Sequence, residues 1–263
     1  MLWAASAING FHVEASDGQI GTVSDLLFED DRWIIRWLVV DTGHWLTGRK
    51  VLLPLSALSQ PDLARHVFPV KLTTQQVKDG PDVDTDQPVS RQIEANLYNY
   101  YSWDPYPFDN VVPISNDMAV AYAVPVPARL RGLHSADAEP DAGGDPHLRS
   151  VAEVTGYRIH ASDGEIGHVE SFLVEDTDWS VRYLTIDTNN WWLGKKILIS
   201  PRSVEEIDWK DSSIHVDLTC DKIKDGPRYD PTIAVDSAYD QAFLGYYGLK
   251  DSTDFSAPAR PGL

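Results

Sequence analysis

Cysteine is almost missing: Cys220 stands alone among 263 residues. A single thiol rules out an internal disulfide and a cysteine-built zinc site. Cations are scarce too. Twenty-two Lys and Arg face 40 Asp and Glu, for a formal net charge of −18. That balance repels phosphate backbones and anionic lipid, so nucleic acid and membrane surfaces are disfavoured as partners. A protein with a basic patch is the complementary kind. Long apolar runs are also absent. The longest, 119–128, contains Pro125 and Pro127 and falls well short of the roughly 20 residues needed to span a bilayer. The first residues, Met1 to Asn9, have no basic start and turn polar at once, unlike a secretion signal. The expectation is a cytoplasmic protein without a membrane span.

What the chain has is turns and aromatics. It contains 17 Gly, 17 Pro, nine Trp and eleven Tyr, which favours many short elements around large buried rings over long helices. It also has a repeat. Residues 10–81 match residues 156–227 at 28 of 72 positions, at a constant offset of 146 without a gap. Gly10 falls on Gly156, Ser16-Asp17-Gly18 on Ser162-Asp163-Gly164, Trp33 on Trp179, and Asp41-Thr42 on Asp187-Thr188. Lys78-Asp79-Gly80-Pro81 falls on Lys224-Asp225-Gly226-Pro227, and at the same offset Tyr100-Tyr101 falls on Tyr246-Tyr247. Chance does not hold one register through so many turns, so the chain is a tandem duplication of residues 10–101 and 156–247. A period of this length gives a small domain, not a solenoid unit.

Within one copy, short runs rich in β-branched and aromatic residues alternate with turn signals. Strands are expected at 11–15, 20–28, 33–41, 50–53 and 67–72, with Ser16-Asp17-Gly18 a tight turn because Asp and Gly tolerate the left-handed region. Behind the strands the pattern changes. Val89, Ile93, Leu97 and Tyr100, matched by Val235, Tyr239, Phe243 and Tyr246, are spaced as one face of a helix. Between the copies, 137–146 is acidic and Gly/Pro-rich, which reads as a linker. The division that follows is a first repeat at 1–128, a linker at 129–149 and a second repeat at 150–263.

The series of motifs resembles the PRC-barrel family. In the first copy it runs Gly10-Phe11-His12-Val13, Ser16-Asp17-Gly18-Gln19-Ile20-Gly21, Trp33 to Asp41, then Gly48-Arg49-Lys50-Val51-Leu52-Leu53-Pro54; the second copy repeats it from Gly156 to Ser200. Members of the family include the cytoplasmic domain of the photosynthetic reaction-centre H subunit and the C-terminal domain of a ribosome maturation factor. The chain is similar to stand-alone bacterial proteins with two such copies, labelled by analogy as H-subunit-like. The resemblance implies a mainly β fold of two tandem small β-barrels, each followed by a short C-terminal amphipathic helix, related by a pseudo-twofold axis. It also implies a protein-binding adaptor with no shared chemistry.

A search for chemistry agrees with that implication. No His-Glu-x-x-His, Gly-x-Ser-x-Gly, P-loop or Gly-x-Gly-x-x-Gly pattern occurs. The eight histidines are scattered and most are lost between copies: His160 matches Glu14, and His168 matches Thr22. Surface or capping roles are expected for them, with no metal ligation. Asp17 and Asp163 read as turn residues, since neither copy has the distal Glu and alternating oxygens of a calcium loop. No catalytic residue, metal ligand or cofactor is assigned. The one pattern that suggests a surface is the loop carrying Trp45, Arg49 and Lys50, matched by Trp191, Trp192, Lys195 and Lys196, because Trp and Arg dominate binding hot spots. The competing reading, favoured because both copies keep the Trp, makes Trp45 and Trp191 plugs of the barrel end or of the interface between the copies. The leading function is a non-enzymatic adaptor binding a protein partner. The alternatives are an accessory factor of a photosynthetic or electron-transfer complex and a small-ligand or metal-binding protein with its site between the repeats. Homo-oligomerisation stays open.

Overall fold

The computed structural model describes residues 2–44, 46, 49–79, 148–188, 196–233 and 235–249. Its strands are β1 (Leu2–Ala4), β2 (His12–Ala15), β3 (Gly18–Glu29), β4 (Ile34–Asp41), β5 (Lys50–Pro54), β6 (Val67–Pro69), β7 (Leu148–Ser150), β8 (Arg158–Ala161), β9 (Gly164–Glu175), β10 (Val181–Asp187), β11 (Lys196–Ile199), β12 (Val204–Asp208) and β13 (Ser213–Val216). Among the described residues helices are few: α1 (Thr74–Lys78), α2 (Val151–Val154), α3 (Cys220–Lys224) and α4 (Ser237–Tyr247). The fold is mainly β, as expected.

The two copies build sheets of the same path. One runs β5-β4-β3-β2-β6 and the other β11-β10-β9-β8-β13-β12. Strand β6 pairs with β2 in parallel, as β13 does with β8; the other ladders are antiparallel. No ladder joins the two ends of either path among the described residues, so each module is a rolled sheet and not a barrel closed by hydrogen bonds. The seam is crossed by the chain itself. After β5, Leu58 bridges Val70 just beyond β6, and Lys71 N–H donates to the Ala57 carbonyl at 2.8 Å. The fifth strand therefore ends at Pro69, short of the expected Leu72, because the chain changes partners there.

Long strands at the centre of each module leave half an edge open. Strand β2 covers only the first part of β3, from Gly18 to Thr22, and β8 covers only Gly164 to His168 of β9. The remaining edge is filled from the other copy. Leu27, Phe28 and Glu29 pair with Ser150, Arg149 and Leu148, while Leu173, Val174 and Glu175 pair with Ala4, Trp3 and Leu2. Every residue of the first set maps onto the second at the offset of 146. The repeat therefore begins at Leu2 and Leu148, earlier than sequence identity shows, and each copy lends its leading strand to its sister.

The same reciprocity holds at the centre. Trp33 and Trp179 have left-handed backbones, φ 56° and 60°, a conformation bulky residues rarely adopt. Their carbonyls consequently point across the joint: Val181 N–H donates to Trp33 O at 2.7 Å and Ile35 N–H to Trp179 O at 3.0 Å. Ile34 bridges Ser180, its own counterpart, which puts the pseudo-twofold axis between them. Aromatic rings fill the space, with Phe28 5.3 Å from Phe172 and 5.4 Å from Trp33, and Trp3 edge-on to Trp179 at 5.6 Å. One hydrophobic core runs through both modules.

Helix α4 carries Tyr239, Phe243 and Tyr246 of the stripe read in the second copy, and Val235 stands just before its cap. Asp236 caps its start through Tyr239 N–H, and Gly248, φ 70°, ends it. It lies on the outer face of its own sheet, where Phe243 is buried with Leu173, Tyr183 and Leu198. The matching helix expected around 89–100, and the linker up to residue 147, lie outside the described residues; Leu148 and Arg149, expected to close the linker, belong instead to β7, because they pair with β3.

Candidate interaction surface

The loop between β4 and β5 starts from a fixed backbone. In the first module, Thr42 Oγ1 and N–H both donate to the Arg49 carbonyl, at 2.5 and 3.2 Å, and Asp41 accepts from Gly43 N–H at 2.8 Å. The Asp-Thr pair thus pins both ends of the loop, as a short polar side chain does when it bonds nearby backbone. Just beneath, a Cβ on Gly21 would lie 2.1 Å from Asp41 O, and one on Gly167 2.2 Å from Asp187 O. Only glycine admits that approach, which accounts for the repeated Ile-Gly.

Of the seven residues read as a surface, three are placed. Arg49 precedes β5, while Lys50 and Lys196 begin β5 and β11, opposite Asp41 and Asp187. Lys196 Nζ donates to Glu170, so its charge is already engaged. Lys50 acts inward as well: its positive charge opposes the rise in the Asp25 pKa. Trp45, Trp191, Trp192 and Lys195 lie outside the described residues. Lys50 and Lys196 therefore stand at matching places in the two modules, and both charges serve the sheets.

The Ser-Asp-Gly turns do more than reverse the chain. Asp17 accepts from Thr74 N–H at 2.7 Å and from Thr74 Oγ1 at 3.1 Å; Asp163 accepts from Cys220 N–H at 2.7 Å. Each carboxylate holds the first residue of a short helix 57 positions on. Thr73 and Gln76 add a reciprocal capping box to α1. Amide hydrogen bonds lower the Asp163 pKa. Burial, and then Asp163 itself, push the Cys220 thiol up to about 11, which disfavours the thiolate.

Asp25 is the acid that spacing did not single out. It projects from β3 onto the leader of the second copy, accepting from Ser150 Oγ at 2.5 Å, Ala152 N–H at 3.0 Å and its neighbour Leu26 N–H at 2.7 Å. Its counterpart Ser171 meets the first leader in the same way, accepting from Ser6 N–H at 3.2 Å. Burial raises the Asp25 pKa despite these hydrogen bonds. The signal was hidden because its partners are 125 and 127 residues away.

Two histidines also come together unannounced. Strand pairing stacks His160 on His215, ring centroids 5.1 Å apart. Among the described residues no group of three or more His, Cys, Asp or Glu is gathered to hold a metal ion, and no helix is long and apolar enough to cross a membrane.

The motif series thus lies on rolled modules with capped turns and a parallel return strand. Residues 4–77 match the PRC-barrel domain. The chain carries a PRC-barrel domain. Proteins of the PRC-barrel family are in general non-catalytic and mediate protein interactions. The second module is tied to this PRC-barrel domain by the internal repeat and the shared strand path. A protein of Deinococcus radiodurans, described as uncharacterized, is 34% identical over 90 residues, which cover 34% of this chain and 30% of that protein. The match thus spans under a third of that relative's length.

Proposed function

We propose that the chain is a non-enzymatic adaptor in which two PRC-barrel modules, within 1–128 and 150–263, act as one rigid body in the cytoplasm and bind a protein partner. The observation that carries the reading is the joint. Reciprocal leader strands and a continuous core fix the two modules in one orientation, so two equivalent loop ends are held at a set separation. A partner that contacts both gains from that preorganisation. The net charge of −18 selects a partner with basic surface. The loops carrying Trp45 and Trp191 are the contact surface in this reading, with Arg49, Lys50, Trp192, Lys195 and Lys196 at their margins.

The alternative of a ligand between the repeats loses ground to the same joint, because the rings of Phe28, Trp33, Phe172 and Trp179 occupy it. Affinity purification from the native host tests the proposal. The full chain should retain a defined basic protein, and a Trp45→Ala/Trp191→Ala double variant with an unchanged melting temperature should lose it. A set of co-purifying proteins identical for both chains would remove the loops from the surface. Absence of any specific protein across growth conditions would remove the adaptor reading.

A further inference from the structure

The outward face of the second module carries four side chains in one row. Strands β12, β13, β8 and β9 are neighbours in that order. Their registers set Glu206 opposite His215, His215 opposite His160, and His160 opposite Glu165. One position along, Ile207, Ile214 and Ile159 pair in the same way and pack in the core. Successive residues of a strand take opposite faces, so the row of acids and imidazoles faces away from the core. The two rings are nearly parallel, with 17° between their planes, and both residues are half-buried. Ser213 Oγ lies 3.4 Å from His215 Nε2.

A neutral imidazole offers a nitrogen lone pair, and two on adjacent strands offer a chelate. Imidazole suits copper, zinc and nickel, and affinity for a given nitrogen site peaks at copper(II). Ring rotation about χ2 is soft, so both lone pairs can turn to one point above the sheet. Since no third ligand stands ready among the described residues, water completes the shell. The carboxylates of Glu165 and Glu206, one on each side, lower the cost of bringing a dication there. We propose that His160 and His215 form a two-imidazole chelate for a late first-row divalent cation, with copper(II) bound ahead of zinc(II). The site belongs to the second module alone, because the first has Glu14 and Pro69 at these places. It does not depend on the adaptor reading.

The test uses the full-length, metal-free chain titrated with copper(II), followed by calorimetry and electron paramagnetic resonance. One equivalent should bind with hyperfine splitting from two nitrogens. His160→Gln and His215→Gln should each weaken binding by about tenfold or more, and Glu165→Gln by less. His168→Gln, an exposed histidine on β9 outside the row, should leave binding unchanged. Melting curves without metal establish that each variant is folded. Failure of the wild-type chain to bind, loss in only one of the two histidine variants, or full binding by the His160→Gln/His215→Gln double variant would each overturn the assignment.

Discussion

At the scale of single residues, some of the positions the duplication preserves are ones where the backbone has no choice. Gly21 and Gly167 sit against the carbonyls of Asp41 and Asp187. Gly21→Ala should cost about 1–3 kcal/mol, the usual range for forcing atoms into a filled space, and calorimetry should read it as a lower melting temperature. Asp25 makes a different prediction. Its folded pKa lies above the ordinary 3.8, so folding favours the protonated form. The stability this confers is fully present below pH 3.8 and is lost as pH climbs through the folded value. Asp25→Asn should remove that slope. In urea titrations from pH 4 to 7, the variant should gain on the wild type as pH rises; a constant difference would show that Asp25 titrates alike in the folded and unfolded chain.

At the scale of elements, docking of α4 depends on close contact at two points. Lys222 Nζ donates to Tyr246 O at 2.8 Å, Tyr246 OH donates to Lys222 O at 3.0 Å, and a Cβ on Gly226 would lie 2.4 Å from the Tyr247 hydroxyl. Phe243 is buried against the outer face of the sheet. Phe243→Ala should destabilise by about 3–5 kcal/mol and uncover Leu173, Tyr183 and Leu198, which a hydrophobic dye would report. The elements were also where the sequence was most legible. Alternating apolar residues and turn residues located β2 to β5 to within a few residues, and four-residue spacing located α4. Strands β1 and β7 were not legible. Each has three residues, and Leu2-Trp3-Ala4 shares only its leucine with Leu148-Arg149-Ser150. What defines them is the open edge of a strand in the other copy, a long-range fact no local pattern carries. The left-handed Trp33 and Trp179 show the same limit, because the repeat marked them as important but not as the residues that turn their carbonyls across the joint. The pairing of His160 with His215 depends on a parallel register between strands over fifty residues apart, and spacing alone gave no hint of it.

For the whole molecule, the shared core predicts shared stability. Chemical denaturation should give one cooperative transition, because neither module can release its sister's leading strand without exposing Phe28, Trp33 or Phe172. Trp33→Ala should weaken both halves together, by about 3–5 kcal/mol, as read from the midpoint and slope of the same transition. A protease site placed in the 129–146 segment should allow cleavage without separation, so the two fragments should co-elute on gel filtration. Two transitions, or fragments that part on cleavage, would show the modules to be independent.

The exchanged leaders also set what the two halves are free to become. A contact in which each side gives the strand it receives is the geometry of a twofold homodimer. In a homodimer every substitution appears twice, and a change good for one side must be tolerated by the other. Joining the halves in one chain removes that constraint while keeping the joint. One module can then keep Glu14 and Pro69 where the other holds two stacked histidines, and Asp25 can clasp one leader while Ser171 holds its mate. The link between the copies preserves a symmetric frame and makes an asymmetric surface heritable.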